Sequence, residues 1–588
     1  MTSETDRPGK RLSSLPLHAI LEALKEERLL IADTLLLGVV GALAAQAFTF
    51  LLRVAQSVLL EGLAGYRPPG TSGGPGAVER IGPHGLWLIP IVTTAGGLLS
   101  GLLVYGFAPE AEGHGTDTVV SAFHRAAGKI RARVAPLKMV ASAITIGSGG
   151  AAGREGPTAL IAAGIGSSYA ARFHRSEEDR RLLTLVGMAA GLSAIFRSPI
   201  GTALFAVEVL YGGMEFEGGA LLYTMLASIV AYAVNGLVSG WSPLFRVPST
   251  ASSPGFFDNL WYVVLGLVGG FVGALLPLVF YGIRDFFRGL RIPSALKPAL
   301  GGLGVGLLAL GLPQVLGGGY GWIQQAIDGR LAISLLLLLV FGKLLAFAFT
   351  VSSGGSGGVF APTLFVGAMV GGALAALTHQ PPAPLVIVGM ASVFGAAARV
   401  PVATLLMVTE MTGGYRLLVP AALAVMLSYL VQRILTARLP YQSLYEAQVL
   451  ALGDSPAHGA DYLRVALRLL DERGARVPES VGHVGLQSLL SSGISVDLTD
   501  GKRLIARGIT SKSPCAGKSV ASCLASVNSE GFELAAVFRG EHTLLPHRDL
   551  IFRPKDRVLI ISSPSSAATI DELFLEKTTV SDPEKPTP

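Results

Sequence analysis

Four long segments without a charged residue constrain this chain more than any other feature. Leu35–Leu52, Ile81–Pro109 and Gly219–Phe245 hold no Asp, Glu, Lys or Arg, and Leu344–Ala398 holds none over its whole length. A helix of about 20 apolar residues spans a bilayer. Charged residues make up 15% of the chain, against roughly 25% in soluble domains. The sequence therefore predicts a membrane protein that crosses the bilayer several times.

Glycine is unusually abundant, at 74 of 588 residues, nearly twice its usual share of about 7%. Glycine permits close helix packing and helices that break within the membrane. The two cysteines, Cys515 and Cys523, lie in the polar C-terminal part, and we predict neither a disulfide scaffold nor a metal site from them. The net charge of +6 comes mainly from basic loops, so no nucleic-acid partner is expected.

The distribution of basic residues predicts an orientation. Met1–Leu30 is polar and charged before the first apolar run, so no cleavable signal peptide is expected. His124–Lys138 and Arg284–Lys297 are basic loops, and Arg172–Arg181 is a mixed loop with four arginines. Basic loops usually stay cytoplasmic. We therefore expect a multi-pass protein of the cell (inner) membrane with both termini in the cytoplasm.

The chain repeats itself. Val186–Ala189 recurs as Val388–Ala391, a shift of 202 residues, and Pro157-Thr158 matches Pro362-Thr363 at a shift of 205. At the shift of 202, the matched residues are Arg197 with Arg399, Pro199 with Pro401, Thr202 with Thr404, Leu204 with Leu406 and Glu208 with Glu410. Many transporters build a site near the membrane midplane from two such halves with broken helices. The sequence leaves open whether the halves are inverted.

One acid stands where an apolar helix is predicted to begin. It belongs to the segment Gly153-Arg154-Glu155-Gly156-Pro157, whose proline suits the first turn of a helix. A helix N-terminus carries free N–H groups and partial positive charge, so it attracts anions. A carboxylate there would occupy an anion site and leave it on protonation, and an ionisable residue at membrane depth is a functional candidate. The alternative is that Glu155 only caps its helix, pairing with Arg154.

Two further segments are flanked by glycine in the same way. They are Gly113-His114-Gly115-Thr116-Asp117 and Gly358-Val359-Phe360-Ala361-Pro362. Converging helix N-termini would offer several backbone N–H donors to one dehydrated anion. Such donors satisfy an anion without a full cation, which would hold it too tightly to conduct.

These segments resemble the filter motifs of the CLC family of chloride channels and proton-coupled anion antiporters. The resemblance covers roughly Leu30 to Tyr445, with Gly153–Pro157 and Gly358–Pro362 intact and in the family's order. The family's first motif, Gly-Ser-Gly-Ile-Pro, is altered at Gly113–Asp117. The resemblance implies an all-α polytopic membrane fold of two repeated halves with broken helices. It also implies a homodimer in which each subunit has its own pathway for an inorganic anion.

The resemblance also implies roles for individual residues. Glu155 would be the external gating glutamate. The implied anion-binding residues are His114, Gly156, Val359, Phe360 and Tyr445, with backbone N–H groups of Val359 and Phe360 and the Tyr445 hydroxyl at the central site.

Two positions depart from the family pattern. His114 replaces a serine that helps to set anion preference, so chloride as the preferred ion is left open; an imidazole there either donates a hydrogen bond to the anion or only packs. Val209, preceded by Glu208, stands where many antiporters have a proton-transfer glutamate. Because valine cannot relay protons, we predict a passive channel. The alternative is a chloride or fluoride antiporter, since some family antiporters also lack that acid.

We divide the chain into a cytosolic tail (1–29), a transmembrane domain (30–446), a linker (447–499), a small cytosolic α/β domain (500–578) and a polar tail (579–588). Strands are predicted at Phe532–Phe538 and Arg557–Ile561. The stretch from Ile509 to Leu559 resembles a TrkA-C (RCK C-terminal) domain, which implies dimerisation and a small-molecule or nucleotide ligand. The alternative is a passive dimer clamp.

No catalytic function is expected. An intramembrane hydrolase using Glu155 or His114 would need a nucleophile–base pair or a metal-ligand cluster, and the sequence pairs neither residue with one. We therefore expect no metal and no cofactor, apart from the transported anion and a ligand of the C-terminal domain.

Overall fold

The computed structural model describes residues 17–71, 78–247, 259–452, 455–458, 496–497, 502–510, 513–525, 531–539, 542–544, 546–554, 556–563 and 566–574. The chain divides into two units, Met1–Gln448 and Val449–Pro588.

The first unit is helical. Its longer helices are α1 (Leu17–Gln56), α2 (Ile89–Phe107), α3 (Thr116–Arg125), α4 (Val134–Gly147), α5 (Glu155–Arg172), α6 (Glu177–Phe196), α7 (Pro199–Glu208), α8 (Gly218–Ser239), α9 (Asn259–Gly289), α10 (Lys297–Gly311), α11 (Tyr320–Ile327), α12 (Ile333–Ser352), α13 (Phe360–Thr378), α14 (Pro382–Ala398), α15 (Pro401–Thr412) and α16 (Leu418–Thr436). Within the described ranges, eight helical spans are long and apolar enough to cross a membrane. This confirms the predicted polytopic architecture.

Several apolar helices are too short to cross alone. α4, α7, α14 and α15 have between 10 and 17 residues, against the roughly 20 that a crossing needs. They are the broken helices that the glycine content predicts. Between α1 and α2 lies a small antiparallel pair, β1 (Tyr66–Arg67) and β2 (Arg80–Ile81).

Two acids matched by the repeat, Glu208 and Glu410, each cap a helix of the other half. The Glu208 carboxylate accepts hydrogen bonds from the backbone N–H groups of Val402 (3.1 Å) and Ala403 (2.6 Å) at the start of α15. The Glu410 carboxylate accepts hydrogen bonds from the equivalent backbone N–H groups at the start of α7, those of Ile200 (3.2 Å) and Gly201 (2.8 Å). It also accepts one from the Ser198 hydroxyl (2.5 Å). Negative charge at a helix N-terminus is stabilising, so both acids hold the halves together.

A second reciprocal contact lies between the filter motifs. The backbone N–H of Gly153 donates to the Gly358 carbonyl and the reverse bond also forms, each at 2.7 Å. Because equivalent residues bond to one another, a local two-fold axis passes between them. The end of α7 meets the start of α15 and the end of α15 meets the start of α7, so these helices run antiparallel. The two halves are therefore inverted, which the sequence left open.

The second unit contains an antiparallel sheet. Its strands, in spatial order, are β3 (Val496–Asp497), β4 (Arg503–Gly508), β7 (Arg557–Ser562), β5 (Phe532–Arg539) and β6 (His542–Leu544), accompanied by α17 (Val520–Leu524) and α18 (Ala567–Phe574). Both predicted strands lie within β5 and β7. Most of the predicted linker (447–499) lies outside the described residues, which include 447–452, 455–458 and 496–497 of it.

The two cysteines, from which no disulfide scaffold was predicted, form a single pair. Cys515 and Cys523 are disulfide-bonded, with 5.4 Å between their Cα atoms. A turn in which the Lys518 N–H donates to the Cys515 carbonyl leads directly into α17. This turn folds the chain back and places both side chains in the apolar core of the second unit.

Candidate functional site

The three glycine-flanked segments meet inside the first unit. Each of them runs into the start of a helix, at Thr116 for α3, Glu155 for α5 and Phe360 for α13. Besides the bonds between Gly153 and Gly358, the Gly357 N–H donates to the Gly113 carbonyl at 3.2 Å. The structure thus brings together backbone segments that are more than 200 residues apart.

Glycine is required where the segments Gly113–Asp117 and Gly153–Pro157 touch. A Cβ atom on Gly156 would lie 2.0 Å from the His114 carbonyl oxygen. Gly115, just before α3, has a φ of +84° and would place a Cβ 2.7 Å from the Gly156 carbonyl. Only glycine fits this close approach and this backbone conformation, so both residues allow the start of α3 to lie against α5.

His114 lies beside Tyr445. Their ring centroids are 5.4 Å apart in an edge-to-face arrangement, and both residues are buried. Nδ1 of His114 is buried without a hydrogen-bond partner among the described residues. A buried polar atom without a protein partner is suited to an exchangeable ligand.

An aromatic cluster continues from this pair. The Tyr445 ring lies 6.4 Å from that of Phe205, whose ring in turn lies 6.3 Å from that of Phe360. The Phe360 ring packs on Phe394 at 4.2 Å. The rings of His114, Tyr445 and Phe360 therefore belong to one buried cluster, next to the starts of α3 and α13.

Glu155 is buried at the first residue of α5, with a relative exposure of 1%. Its Oε1 accepts a hydrogen bond from the Tyr320 hydroxyl, and its Oε2 has no partner within the described part of the chain. The Arg154 guanidinium lies over the Tyr320 ring, 5.4 Å from the centroid. Tyr320 was not among the predicted site residues; the only signal in the sequence is that Gly317–Tyr320 follows Gly113–Thr116 by 204 residues.

The position where a proton-relay acid is absent is also buried. Val209 follows the last residue of α7 and has no exposed surface. Its neighbour Glu208 is held by the two backbone N–H groups of α15. The Gln448 side chain donates to the Val209 carbonyl at 3.0 Å. Neither Val209 nor Glu208 therefore offers a free carboxylate at this point.

Asp117, the last residue of the first motif, has a specific contact. Its Oδ1 accepts a hydrogen bond from the Ala447 N–H at 2.8 Å. Ala447 lies two residues after Tyr445, so this bond ties the segment carrying the tyrosine to the start of α3. The sequence analysis named Asp117 only as a motif position.

Two neighbouring cavities are rich in arginine. One, of about 430 Å³, is lined by Arg53, Arg67, Arg154 and Tyr320. The other, of about 1020 Å³, is lined by Arg197, Arg246 and Arg416. Thr71 and Leu244 line both. Glu61 is the one acid among the residues that line the two cavities. An excess of positive charge raises the local concentration of counter-ions, so these cavities form a basic approach to the Glu155 site.

Comparison with known families finds two matches. The model described as voltage gated chloride channel matches residues 96–433. The TrkA-C domain model matches residues 504–575.

Individual proteins are also similar. A ClcB-like protein of Ralstonia nicotianae, named as a putative chloride channel protein, is 33% identical over 409 residues, covering 67% of this chain and 91% of the relative. The H(+)/Cl(-) exchange transporter ClcA of Salmonella arizonae is 30% identical over 397 residues, covering 65% of this chain and 83% of the relative.

Solved structures share the fold. A slow cyanobacterial Cl-/H+ antiporter superposes with a TM-score of 0.59 at 26% identity, over 70% of this chain and 94% of the antiporter. A CLC-type fluoride/proton antiporter superposes with a TM-score of 0.61 at 23% identity, over 72% of this chain and 99% of that structure.

Proposed function

This chain belongs to the voltage-gated chloride channel (CLC) family, and we propose that it conducts inorganic anions passively across a bilayer. The proposed gate is Glu155. The proposed anion-binding residues are His114, Gly156, Val359, Phe360 and Tyr445. Three converging helix starts would supply donors to a dehydrated anion without a full cation, which allows the ion to enter and leave.

The proposal of passive conduction rests on two buried residues at the end of α7, Glu208 and Val209. A proton crossing a membrane needs titratable groups or ordered water, since hydrocarbon offers it no partner. Val209 cannot titrate, and both carboxylate oxygens of Glu208 accept backbone hydrogen bonds from α15. An acid used as a structural cap is a poor relay because protonation would remove those bonds.

The test is a reversal-potential measurement on purified protein in planar bilayers. We expect the reversal potential to follow the chloride gradient and to stay fixed when a pH gradient is imposed. The same measurement with fluoride and nitrate gives the anion preference. A reversal potential that moves with the pH gradient would contradict the passive reading.

A proton-coupled antiporter is the second candidate, and two observations favour it. The Salmonella relative is named an exchange transporter, and the cyanobacterial neighbour is an antiporter. In addition, the Asp117 carboxylate accepts a hydrogen bond from the Ala447 N–H at 2.8 Å, so a half-buried acid contacts the segment that carries Tyr445. If the reversal potential moves with pH, Asp117→Asn identifies whether this acid carries the protons.

Further parts of the proposal concern assembly and regulation. We propose a homodimer with one pathway in each subunit, inserted in the cell membrane with both termini in the cytoplasm. The matched TrkA-C domain would bind a small molecule or nucleotide and regulate conduction. The alternative is that it only clamps the dimer.

His114→Ser should change the anion preference. The imidazole is buried beside Tyr445 with Nδ1 unpartnered among the described residues, so its loss alters the donors available to a bound anion. One hydrogen bond is worth about 1 kcal/mol, which corresponds to roughly fivefold in relative permeability. The measurement is the shift in reversal potential when chloride is replaced by fluoride or nitrate. Unchanged permeability ratios would assign His114 to packing; His114→Asn, whose side-chain amide nitrogen can take the place of Nδ1, is the matched control.

A further inference from the structure

We propose that Tyr320 is a positioning residue that holds the ionised Glu155 side chain in the closed position of the gate. This inference rests on the proposed gating role of Glu155. It adds to the three filter motifs a fourth segment, Gly317–Tyr320, supplied by the second half of the inverted repeat.

The contacts of the Glu155 carboxylate carry the inference. Oε1 accepts the hydrogen bond from the Tyr320 hydroxyl, whereas Oε2 has no partner in the described part of the chain. The groups that act on this carboxylate are Tyr320 from α11, Arg154 from its own helix, and the backbone N–H groups of Glu155 itself and of Ala361 from α13. Among the side chains acting on Glu155, Tyr320 is thus the one that bonds to it directly.

Arg154 supports the tyrosine rather than replacing it. Its guanidinium lies over the Tyr320 ring, 5.4 Å from the centroid, and the Phe245 ring packs at 5.9 Å. Cation–π contact and ring packing restrict the orientation of the phenol. The hydroxyl is therefore held at the carboxylate rather than free to rotate away.

The backbone before Tyr320 is fixed as well. Lys343 has no exposed surface, and its Nζ donates to the carbonyls of Val315 (2.7 Å) and Gly317 (2.6 Å). Gly319 has a φ of +78°, and a Cβ there would lie 2.5 Å from the Phe365 ring. This glycine allows the chain to turn tightly into α11, of which Tyr320 is the first residue.

The first half of the repeat contains an equivalent lysine that bonds to two backbone carbonyls. Lys138, 205 residues before Lys343, donates to the carbonyls of Ala111 (2.9 Å) and Gly113 (2.6 Å). Gly113 and Thr116 precede Gly317 and Tyr320 by 204 residues each. In the first half the lysine fixes the motif that carries His114. Because the halves are inverted, the equivalent segment of the second half reaches the same region from the other direction and presents Tyr320.

The hydrogen bond favours the closed gate for a chemical reason. A phenol hydroxyl donates to a carboxylate, and a hydrogen bond to the charged form of an acid favours that form. Tyr320 therefore stabilises Glu155 in the state in which its negative charge occupies the anion path. Opening requires that this bond be broken, by protonation of the carboxylate or by movement of its side chain.

Tyr320→Phe is the direct test, because it keeps the ring and its stacking on Arg154 and removes only the hydroxyl. Chloride efflux from liposomes is measured from pH 4.5 to pH 8 for the wild type, Tyr320→Phe, Glu155→Gln and the double variant. We expect Tyr320→Phe to raise efflux at neutral pH about tenfold and to move the half-maximal pH upward by about one unit. The double variant should match Glu155→Gln alone. Tyr415→Phe, which changes a tyrosine lining the larger cavity, is the matched control and should behave as wild type.

The outcomes separate the two proposals. If Glu155→Gln opens the pathway but Tyr320→Phe keeps the wild-type pH profile, Tyr320 does not hold the gate, and the gating role of Glu155 stands. If Tyr320→Phe raises efflux equally with and without Glu155→Gln, it acts elsewhere and the inference fails. If Glu155→Gln leaves efflux and its pH dependence unchanged, the gating role is wrong and the inference fails with it. Monodispersity and thermal unfolding in detergent confirm that each variant is folded.

Discussion

Glu155→Gln should increase anion flux and make it independent of pH. The amide has the shape of a protonated carboxylic acid but carries no charge, so it cannot compete with an anion at the starts of α5 and α13. Glu155 is 1% exposed, and its carboxylate is acted on by the Ala361 N–H of α13. Relieving about 1.4 kcal/mol of such competition would raise flux about tenfold. The measurement is chloride efflux from liposomes at equal protein density, from pH 4.5 to pH 8.

Glu61→Gln is the matched control for this prediction. Glu61 lines the same arginine-rich cavity as Tyr320, so the control removes one negative charge from the approach without touching the proposed gate. It should leave the pH profile unchanged. Wild-type pH dependence that survives in Glu155→Gln would show that another group senses protons, and the gate would have to be sought among the other buried acids.

The sequence predicted those parts of the site that depend on local sequence patterns. The glycines and prolines around Glu155 and Phe360 set the starts of two helices, and these conformational demands are visible without any tertiary contact. The same holds for the apolar spans, because bilayer thickness fixes their length. The repeat also matched Glu208 with Glu410, and the structure shows that they cap α15 and α7 reciprocally.

What the sequence did not predict depends on contacts between distant segments. Tyr320 and Glu155 are 165 residues apart, and nothing local marks the tyrosine as a partner for an acid. The direction of the repeat could not be read from matched residues, since a shift of 202 is the same for parallel and inverted halves. The pairing of Cys515 with Cys523 likewise depends on a turn that reverses the chain just before α17.

The hydrogen bond between Asp117 and Ala447 is another contact between distant segments that the sequence did not predict. It joins residues 330 positions apart and fixes the segment that carries Tyr445 to the start of α3. Gln448 fixes the same segment from the other side through the carbonyls of Val209 and Ala398, at 3.0 and 3.1 Å. The position of Tyr445 beside His114 is therefore a consequence of tertiary hydrogen bonds, and the motif residues alone do not determine it.

Val209→Glu should introduce proton movement that tracks anion flux. Adjacent residues on a helix point about 100° apart, so Glu208, which faces the start of α15, cannot present its carboxylate where Val209 points. A glutamate at 209 would place a titratable group in a fully buried position at the end of α7. Burial favours the protonated form of such an acid, which suits a group that must accept a proton from water and pass it on.

The experiment uses liposomes with an imposed chloride gradient, a clamped voltage and an internal pH indicator. For the wild type we expect anion flux with constant internal pH, because Val209 cannot titrate and the Glu208 carboxylate is held by the start of α15. For Val209→Glu we expect the internal pH to change in proportion to the chloride that moves. Val209→Gln is the matched control, since it has the same shape and cannot carry a proton, and it should behave as wild type. Uphill proton movement by the wild type would refute the passive reading. Asp117 would then be the acid to examine, because it is half-buried and bonds to the segment that carries Tyr445.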